Sequence, residues 1–188
     1  MQQAFYERPV LEVARDLIGC TVRHGLTCGV IVETEAYHHC EPACHAYVGV
    51  TPRTATLFGP PGVAYVYRSY GVHAMLNAVC ERAGVAAAVL IRALEPVQGV
   101  DAMAARRSTD RIGDLCSGPG KLTQALAITL QDNGRALDAA PLVIGPPLAD
   151  RPGPPIVTGP RVGITKAVDL PWRFAVRGSP FVSRPVPG

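Results

Sequence analysis

Residues 29–37, Gly-Val-Ile-Val-Glu-Thr-Glu-Ala-Tyr, constrain this chain more than any other stretch. Four apolar or small residues lead into a segment that alternates carboxylate, small residue, carboxylate, small residue, aromatic. An apolar run of this kind reads as a buried strand, and residues two apart on a strand face the same side. Glu33, Glu35 and Tyr37 are therefore expected on one face. Burial and a neighbouring like charge both raise a carboxylate pKa, which is how a general acid or base is made. The ring beside them offers a flat surface to a planar substrate. The residues alone fit a second reading equally well: both glutamates solvated on an edge strand, with Tyr37 covering the core.

The chain has 188 residues, enough for one domain, 1–188, with its own core. Hydrophobic residues are 48% and charged residues 18% of the chain, which excludes a disordered composition. A net charge of +3 is compatible with a polyanionic partner but does not specify one. No apolar run reaches the length that crosses a bilayer, so no membrane association is expected. The N-terminus reads as having no charged leader followed by an apolar core and cleavage site, and the expected location is the cytoplasm. There the six cysteines are expected as free thiols. Cys40, Cys44 and His45 stand close together, but no second Cys or His pair at ligand spacing follows, and no metal is expected.

Apolar residues at 10, 13, 14, 17 and 18 predict a helix over 10–18, stopped by Gly19. Strands are expected at 20–23 and 28–35. Residues 38–61, with four prolines and no periodicity, read as a long ordered loop, a feature often tied to function. A hairpin is expected over 63–79 with its turn near Tyr70-Gly71, then a strand over 85–94 and a short helix over 98–107. Ser117 and Pro119 suit the cap and first turn of a further helix. Residues 139–160 read as a proline-rich loop with a short strand at 142–144, and 161–164 and 173–177 as closing strands. Short connections favour hairpins over crossovers. The expected fold is α+β, a single compact domain around a mostly antiparallel curved sheet with a protruding hairpin.

Several residues suggest chemistry. Turns favour Gly, Asn, Asp and Pro, so Tyr70 at a turn is unusual. It either folds back over the hairpin or projects as a wedge able to enter a DNA base step. Tyr65 and Tyr67 share one face of the first arm, as stacking surfaces or as core. Arg92 interrupts an apolar strand and needs an anionic partner if buried, with Glu33, Glu35 and Glu95 as candidates. Lys121 stands in the first turn of a helix, where an anion can bind. Arg161, Lys166, Arg173 and Arg177 add positive charge, which on most proteins is only a solvated face.

Taken together, the segments resemble the alkyladenine (3-methyladenine) DNA glycosylase family. The resemblance is carried in family order by residues 14–19 (ARDLIG), 31–37 (IVETEAY), 51–53 (TPR), 62–67 (GVAYVY), Tyr70-Gly71, 90–96 (LIRALEP), 115–122 (LCSGPGKL) and 176–180 (VRGSP). It implies a hairpin that inserts into duplex DNA and a monofunctional hydrolysis that removes damaged purines without metal or other cofactor. Under that resemblance Glu35 is the base that activates water, and Arg92 helps to hold the water. Tyr37, His45 and Tyr67 wall the base pocket, and Asn77 rejects guanine through its 2-amino group. Tyr70 fills the gap left by the flipped nucleotide. From their charge, and not from the resemblance, Lys121, Arg161, Lys166 and Arg177 are expected on the DNA backbone. The expected partner is duplex DNA containing an alkylated, deaminated or etheno purine, bound by a monomer.

The chain departs from the mammalian form in four ways, one of them the shape of the stretch Ala74-Met75-Leu76. The stretch between Tyr37 and His45 is one residue shorter. Val72 and His73 stand where bulkier apolar or aromatic residues are expected. The long N-terminal extension is missing, as in a compact bacterial version. Two other classes are weighed against the enzyme: a silent DNA-binding domain, which would need neither Glu35 nor Arg92, and a metal hydrolase built on Cys40, Cys44 and His45.

Overall fold

Two strands of 12 residues each, β2 (Thr27–His38) and β5 (Ala87–Gln98), pair antiparallel and form the spine of the molecule. The structure is a computed structural model and describes residues 1–151 and 153–186. The remaining strands in chain order are β1 (Cys20–His24), β3 (Ala64–Ser69), β4 (His73–Val79), β6 (Asp138–Ala139), β7 (Leu142–Pro147), β8 (Ile156–Gly159) and β9 (Arg173–Val176). Among the described residues they make one nine-stranded antiparallel sheet in the order β3-β4-β5-β2-β1-β7-β6, with β9 joining β2 and β8 joining β9. The free edge of β2 is shared: β1 pairs with its first residues, and β9 pairs with Glu33, Thr34 and Glu35. The sheet therefore branches beside the two carboxylates.

One face of the sheet is covered by α2 (Val10–Asp16), α3 (Val100–Arg107), α4 (Ile112–Leu115) and α5 (Pro119–Leu126), preceded by the short α1 (Gln3–Tyr6). Alternation along the strands selects the core: Val66 from β3, Leu76 from β4 and Val89 and Ile91 from β5 meet Leu17, Met103, Leu122 and Leu126. Their neighbours in sequence point the other way. Tyr65, Val79 and Ala88 form a smaller apolar cluster with Cys44, Ala46 and Leu57 from the loop over 39–63. That loop is ordered as expected and contains two 3-10 turns, His45–Val48 and Ala55–Phe58. The α+β class and the antiparallel curled sheet agree with the sequence reading.

Several boundaries differ, each for a reason of packing. The strand expected over 85–94 continues to Gln98 because Glu95, Pro96 and Gln98 pair with β2. The next helix starts only after Gly99, whose φ is +71° and where a Cβ would lie 2.7 Å from the Leu26 carbonyl oxygen. Gly118, not Ser117, stands at the cap of α5, and the Ser117 hydroxyl instead accepts a hydrogen bond from Lys121 Nζ. The proline-rich loop contains β8, an edge strand, which tolerates flanking prolines; Pro152 lies outside the described residues.

Residues 161–164 form no strand. Arg161 turns inward, and its guanidinium bonds both oxygens of Glu41 at 2.7 and 2.9 Å and the Ala36 carbonyl at 2.9 Å. Its side chain is 0% exposed. The expectation that Arg161 reaches the DNA backbone is corrected: a buried carboxylate holds this cation. Lys166 and Arg177 are exposed, and Lys121 is partly exposed with its ammonium near Asp114 and Ser117. Removing one partner of a buried ion pair leaves the other uncompensated, which costs about 3–5 kcal/mol. Arg161→Ala is expected to lose stability on that scale in urea unfolding. Normal stability combined with a weaker salt dependence of DNA binding would restore Arg161 to the surface role.

Candidate active site

The register between β2 and β5 shifts twice around Val32. Ile31 pairs with Leu94, Glu33 with Ala93 and Thr34 with Ile91, so Val32 and Arg92 are left without cross-strand partners. A bulge of this kind re-aims side chains. Before it, Ile31 faces the helices. After it, Thr34 donates to the Ala14 carbonyl on the helix side and Ala36 packs in that core. Glu33, Glu35 and Tyr37 turn to the opposite face, and Arg92 projects onto the same face.

Glu33 and Glu35 are both 0% exposed, so a solvated edge strand is ruled out. Glu33 is saturated with donors. Its Oε1 accepts from Arg92 Nε at 2.9 Å, Arg173 Nε at 2.8 Å and the Ser183 hydroxyl at 2.8 Å, while Oε2 accepts the Ser183 amide at 2.5 Å. Glu33 is thus a structural anion that anchors two guanidinium groups. Arg92 also donates through Nη1 to Glu35 Oε2 at 3.2 Å and through Nη2 to Ser183 Oγ at 3.1 Å. Burial alone would lower the Arg92 pKa, but Glu35 and Glu33 outweigh it and raise it, so the guanidinium stays charged.

Glu35 has a different environment. Its Oε1 accepts the Val162 amide at 2.6 Å, and its Oε2 accepts the Tyr37 hydroxyl at 2.8 Å. Burial pushes its carboxyl above the ordinary 4.5. Arg92, the Val162 amide and the Tyr37 hydroxyl oppose this, and Glu33 adds to it. The two carboxylates on one face therefore sit in different environments: Glu33 accepts four hydrogen bonds, while Glu35 accepts three and burial raises its pKa.

A cleft of about 620 Å³ opens over this group. Tyr37, Arg92 and Val162, which hydrogen-bond Glu35, all line it, so the carboxylate lies just behind the cleft floor. His45, Tyr67, Asn77 and Tyr70 also line it, so every residue assigned to the base pocket and the wedge converges here. His45 meets the Tyr67 ring edge-on with centroids 4.6 Å apart, and Tyr65 stacks behind Tyr67 at 5.3 Å. Tyr37 is backed by the Arg161 guanidinium 4.6 Å from its ring centroid. Burial and nearby Arg53 lower the His45 pKa, so the imidazole is neutral at neutral pH. Burial pushes the Tyr67 phenol up to about 12, so it too is uncharged. The Asn77 amide nitrogen donates to the Tyr65 carbonyl at 3.0 Å and the Met75 carbonyl at 3.4 Å, which fixes which way the amide points.

Tyr70 stands at the turn between β3 and β4, 92% exposed, with φ at +49° followed by Gly71 at +73°. It does not fold back over the hairpin. A non-glycine residue in this region costs on the order of 1–3 kcal/mol. Directly beside the turn His73, which pairs with Ser69, packs onto Gly120 of α5, where a Cβ would lie 2.8 Å from the imidazole Cγ, and Thr123 donates to the Ala74 carbonyl. The tip is thus exposed on a braced stem.

Sequence reasoning gave no role to Val162, Ser183 or Arg53. The Val162 contribution is a backbone amide, which no residue identity reveals, and Ser183 lies 150 positions from Glu33. Arg53 falls within a matched segment and lies over the Tyr67 ring at 5.3 Å. Cys40 is exposed while Cys44 is buried, and among the described residues no three His, Cys, Asp or Glu side chains gather as a metal site. No helix among the described residues is long and apolar enough to cross a membrane.

Residues 4–180 match the family model described as methylpurine-DNA glycosylase (MPG). A relative from Rhodopseudomonas palustris is 58% identical over 97% of this chain and 87% of its own length. Relatives from Bradyrhizobium diazoefficiens and Agrobacterium fabrum are 55% and 52% identical, over 100% and 97% of this chain and 92% and 91% of theirs. All three carry the name "Putative 3-methyladenine DNA glycosylase". With the family matched over nearly the whole chain, this protein belongs to the methylpurine-DNA glycosylase family, enzymes that hydrolyse N-glycosyl bonds in DNA.

Proposed function

We propose that this enzyme flips an alkylated purine out of duplex DNA into the cleft and hydrolyses its N-glycosidic bond with water activated by Glu35, leaving an abasic site. The observation that carries this reading is a buried, incompletely compensated carboxylate directly behind an aromatic slot. A base inside a duplex is out of reach, so it must be extruded. Tyr70 on its braced hairpin would replace the lost stacking. A purine methylated at a ring nitrogen is cationic and stacks more strongly on Tyr37 and Tyr67 than a neutral base does. The neutral His45 adds no repulsion against it. Asn77, fixed by two carbonyl groups, would read the purine edge and reject guanine through its 2-amino group. Deaminated and etheno purines, also planar, are further candidate substrates.

Glu35 would take a proton from water while its charge stabilises the cationic sugar of the transition state. Arg92 keeps the carboxylate charged and oriented. With water as the nucleophile the reaction needs no cofactor and makes no Schiff base, so the strand stays intact. Lys121, Lys166 and Arg177 are the candidate phosphate contacts. Every group named comes from one chain, so the proposed chemistry needs no second copy.

Glu35→Gln is expected to bind damaged duplex yet release no base in single-turnover excision. Release at the wild-type rate would sink the mechanism. In the wild type the base form of Glu35 is lost as pH falls through its raised value. The rate should therefore drop on the acid side with an apparent pKa above 4.5. The sign for stability is the reverse: the Glu35 contribution is complete below its unfolded value and is lost as pH rises through the folded one. Tyr70→Ala should weaken binding to lesion-containing duplex while leaving the unfolding midpoint near wild type, because Tyr70 is exposed. Unchanged duplex affinity would remove it as the wedge.

A further inference from the structure

The segment after β9 returns to the sheet. The Ser183 amide and hydroxyl both bond Glu33, Arg173 donates to the Arg184 carbonyl, and Val186 lies on Gly159, where a Cβ would sit 2.8 Å from its Cγ1. The family match ends at residue 180, so this contact lies beyond the segments that carry the family resemblance. Its chemistry converges on Arg92. One hydroxyl donates its hydrogen to Glu33 Oε1 at 2.8 Å and accepts from Arg92 Nη2 at 3.1 Å. Arg92 is thereby held on three sides, by Glu33 at Nε, Ser183 at Nη2 and Glu35 at Nη1.

We propose that the Ser183 hydroxyl is a positioning residue for base excision, locking Arg92 so that its remaining guanidinium nitrogen faces Glu35. The proposal rests on Glu35 being the base. Without the hydroxyl, Glu33 loses a donor and Arg92 Nη2 loses its acceptor, so the guanidinium is drawn toward Glu33 and away from Glu35. A charged partner's hydrogen bond is among the stronger ones in a protein, so the displacement matters. Glu35 is also faced by Glu33 and Tyr37 from β2, by Tyr67 from β3 and by the Val162 amide. Arg161 stacks behind Tyr37, and Arg173 of β9 faces Glu33. Of these charged groups Arg92 alone donates directly to the Glu35 carboxylate. Weakening that bond makes the carboxylate easier to protonate.

Ser183→Ala removes only the hydroxyl. The amide bond to Glu33 remains and keeps the segment docked. The test is single-turnover excision from alkylated duplex as a function of pH, for wild type, Ser183→Ala, Ser183→Thr and Glu35→Gln, with unfolding midpoints measured in parallel. The acid limb of Ser183→Ala should move to higher pH, with a rate about tenfold lower on that limb, a factor that corresponds to one modest hydrogen bond. Ser183→Thr should keep the wild-type limb. Should Ser183→Ala show no unfolding transition, Ser183→Cys takes its place with the same expectation. A limb that does not move, or a Thr variant shifted as far as the Ala variant, overturns the role of Ser183. Those outcomes stand apart from failure of the site reading, which would appear as no acid limb in wild type or full activity in Glu35→Gln, and would overturn the Ser183 role with it.

Discussion

The buried pairing of Glu33 with Arg92 and Arg173 is the interaction on which the rest of the site depends. It lies where β2 meets β5 on one side and β9 on the other, and each of these strands contributes one charge. Taking an ion out of water costs several kcal/mol, so such a group persists only when its lone pairs and protons are all engaged. Glu33 meets that condition through two arginines and a serine from the far end of the chain. Once Arg92 is fixed there, it carries an undiminished positive charge to Glu35.

Glu35 lacks that saturation. Its neighbours hold it in place, yet burial still lifts its pKa. On the proposed reading of Glu35 as the base, that lift makes the carboxylate a better proton acceptor than an ordinary one, while Arg92 and the Val162 amide oppose its protonation. The bulge at Val32 and Arg92 turns both glutamates toward one arginine, Glu33 at 2.9 Å from its Nε and Glu35 at 3.2 Å from its Nη1. Tyr70 is exposed in a costly backbone conformation, and its stem is held to α5 by the Thr123 hydrogen bond to the Ala74 carbonyl.

Much of this was legible in the sequence where local chemistry is strong. The alternation over 33–37 placed both carboxylates and Tyr37 on one face, and the tyrosine at the turn marked the hairpin tip. The apolar strand around Arg92 forced an acidic partner. Errors arose where a side chain answered to a distant partner. Arg161 read as a surface cation in a closing strand, but Glu41, 120 residues earlier, draws it into the interior. Ser117 read as a helix cap, but Lys121 engages its hydroxyl. The strand at 156–159 was hidden by its prolines because edge pairing does not depend on the donors that proline lacks.

By itself the sequence determined the antiparallel α+β architecture, the shared face of Glu33, Glu35 and Tyr37, and the family, because strand alternation and ordered motifs are local properties of the chain. Only the tertiary structure decided which carboxylate anchors two arginines and which lies behind the cleft. That choice depends on how many donors reach each oxygen, and the donors come from Arg173, Ser183 and a backbone amide at Val162, all far from β2 in sequence.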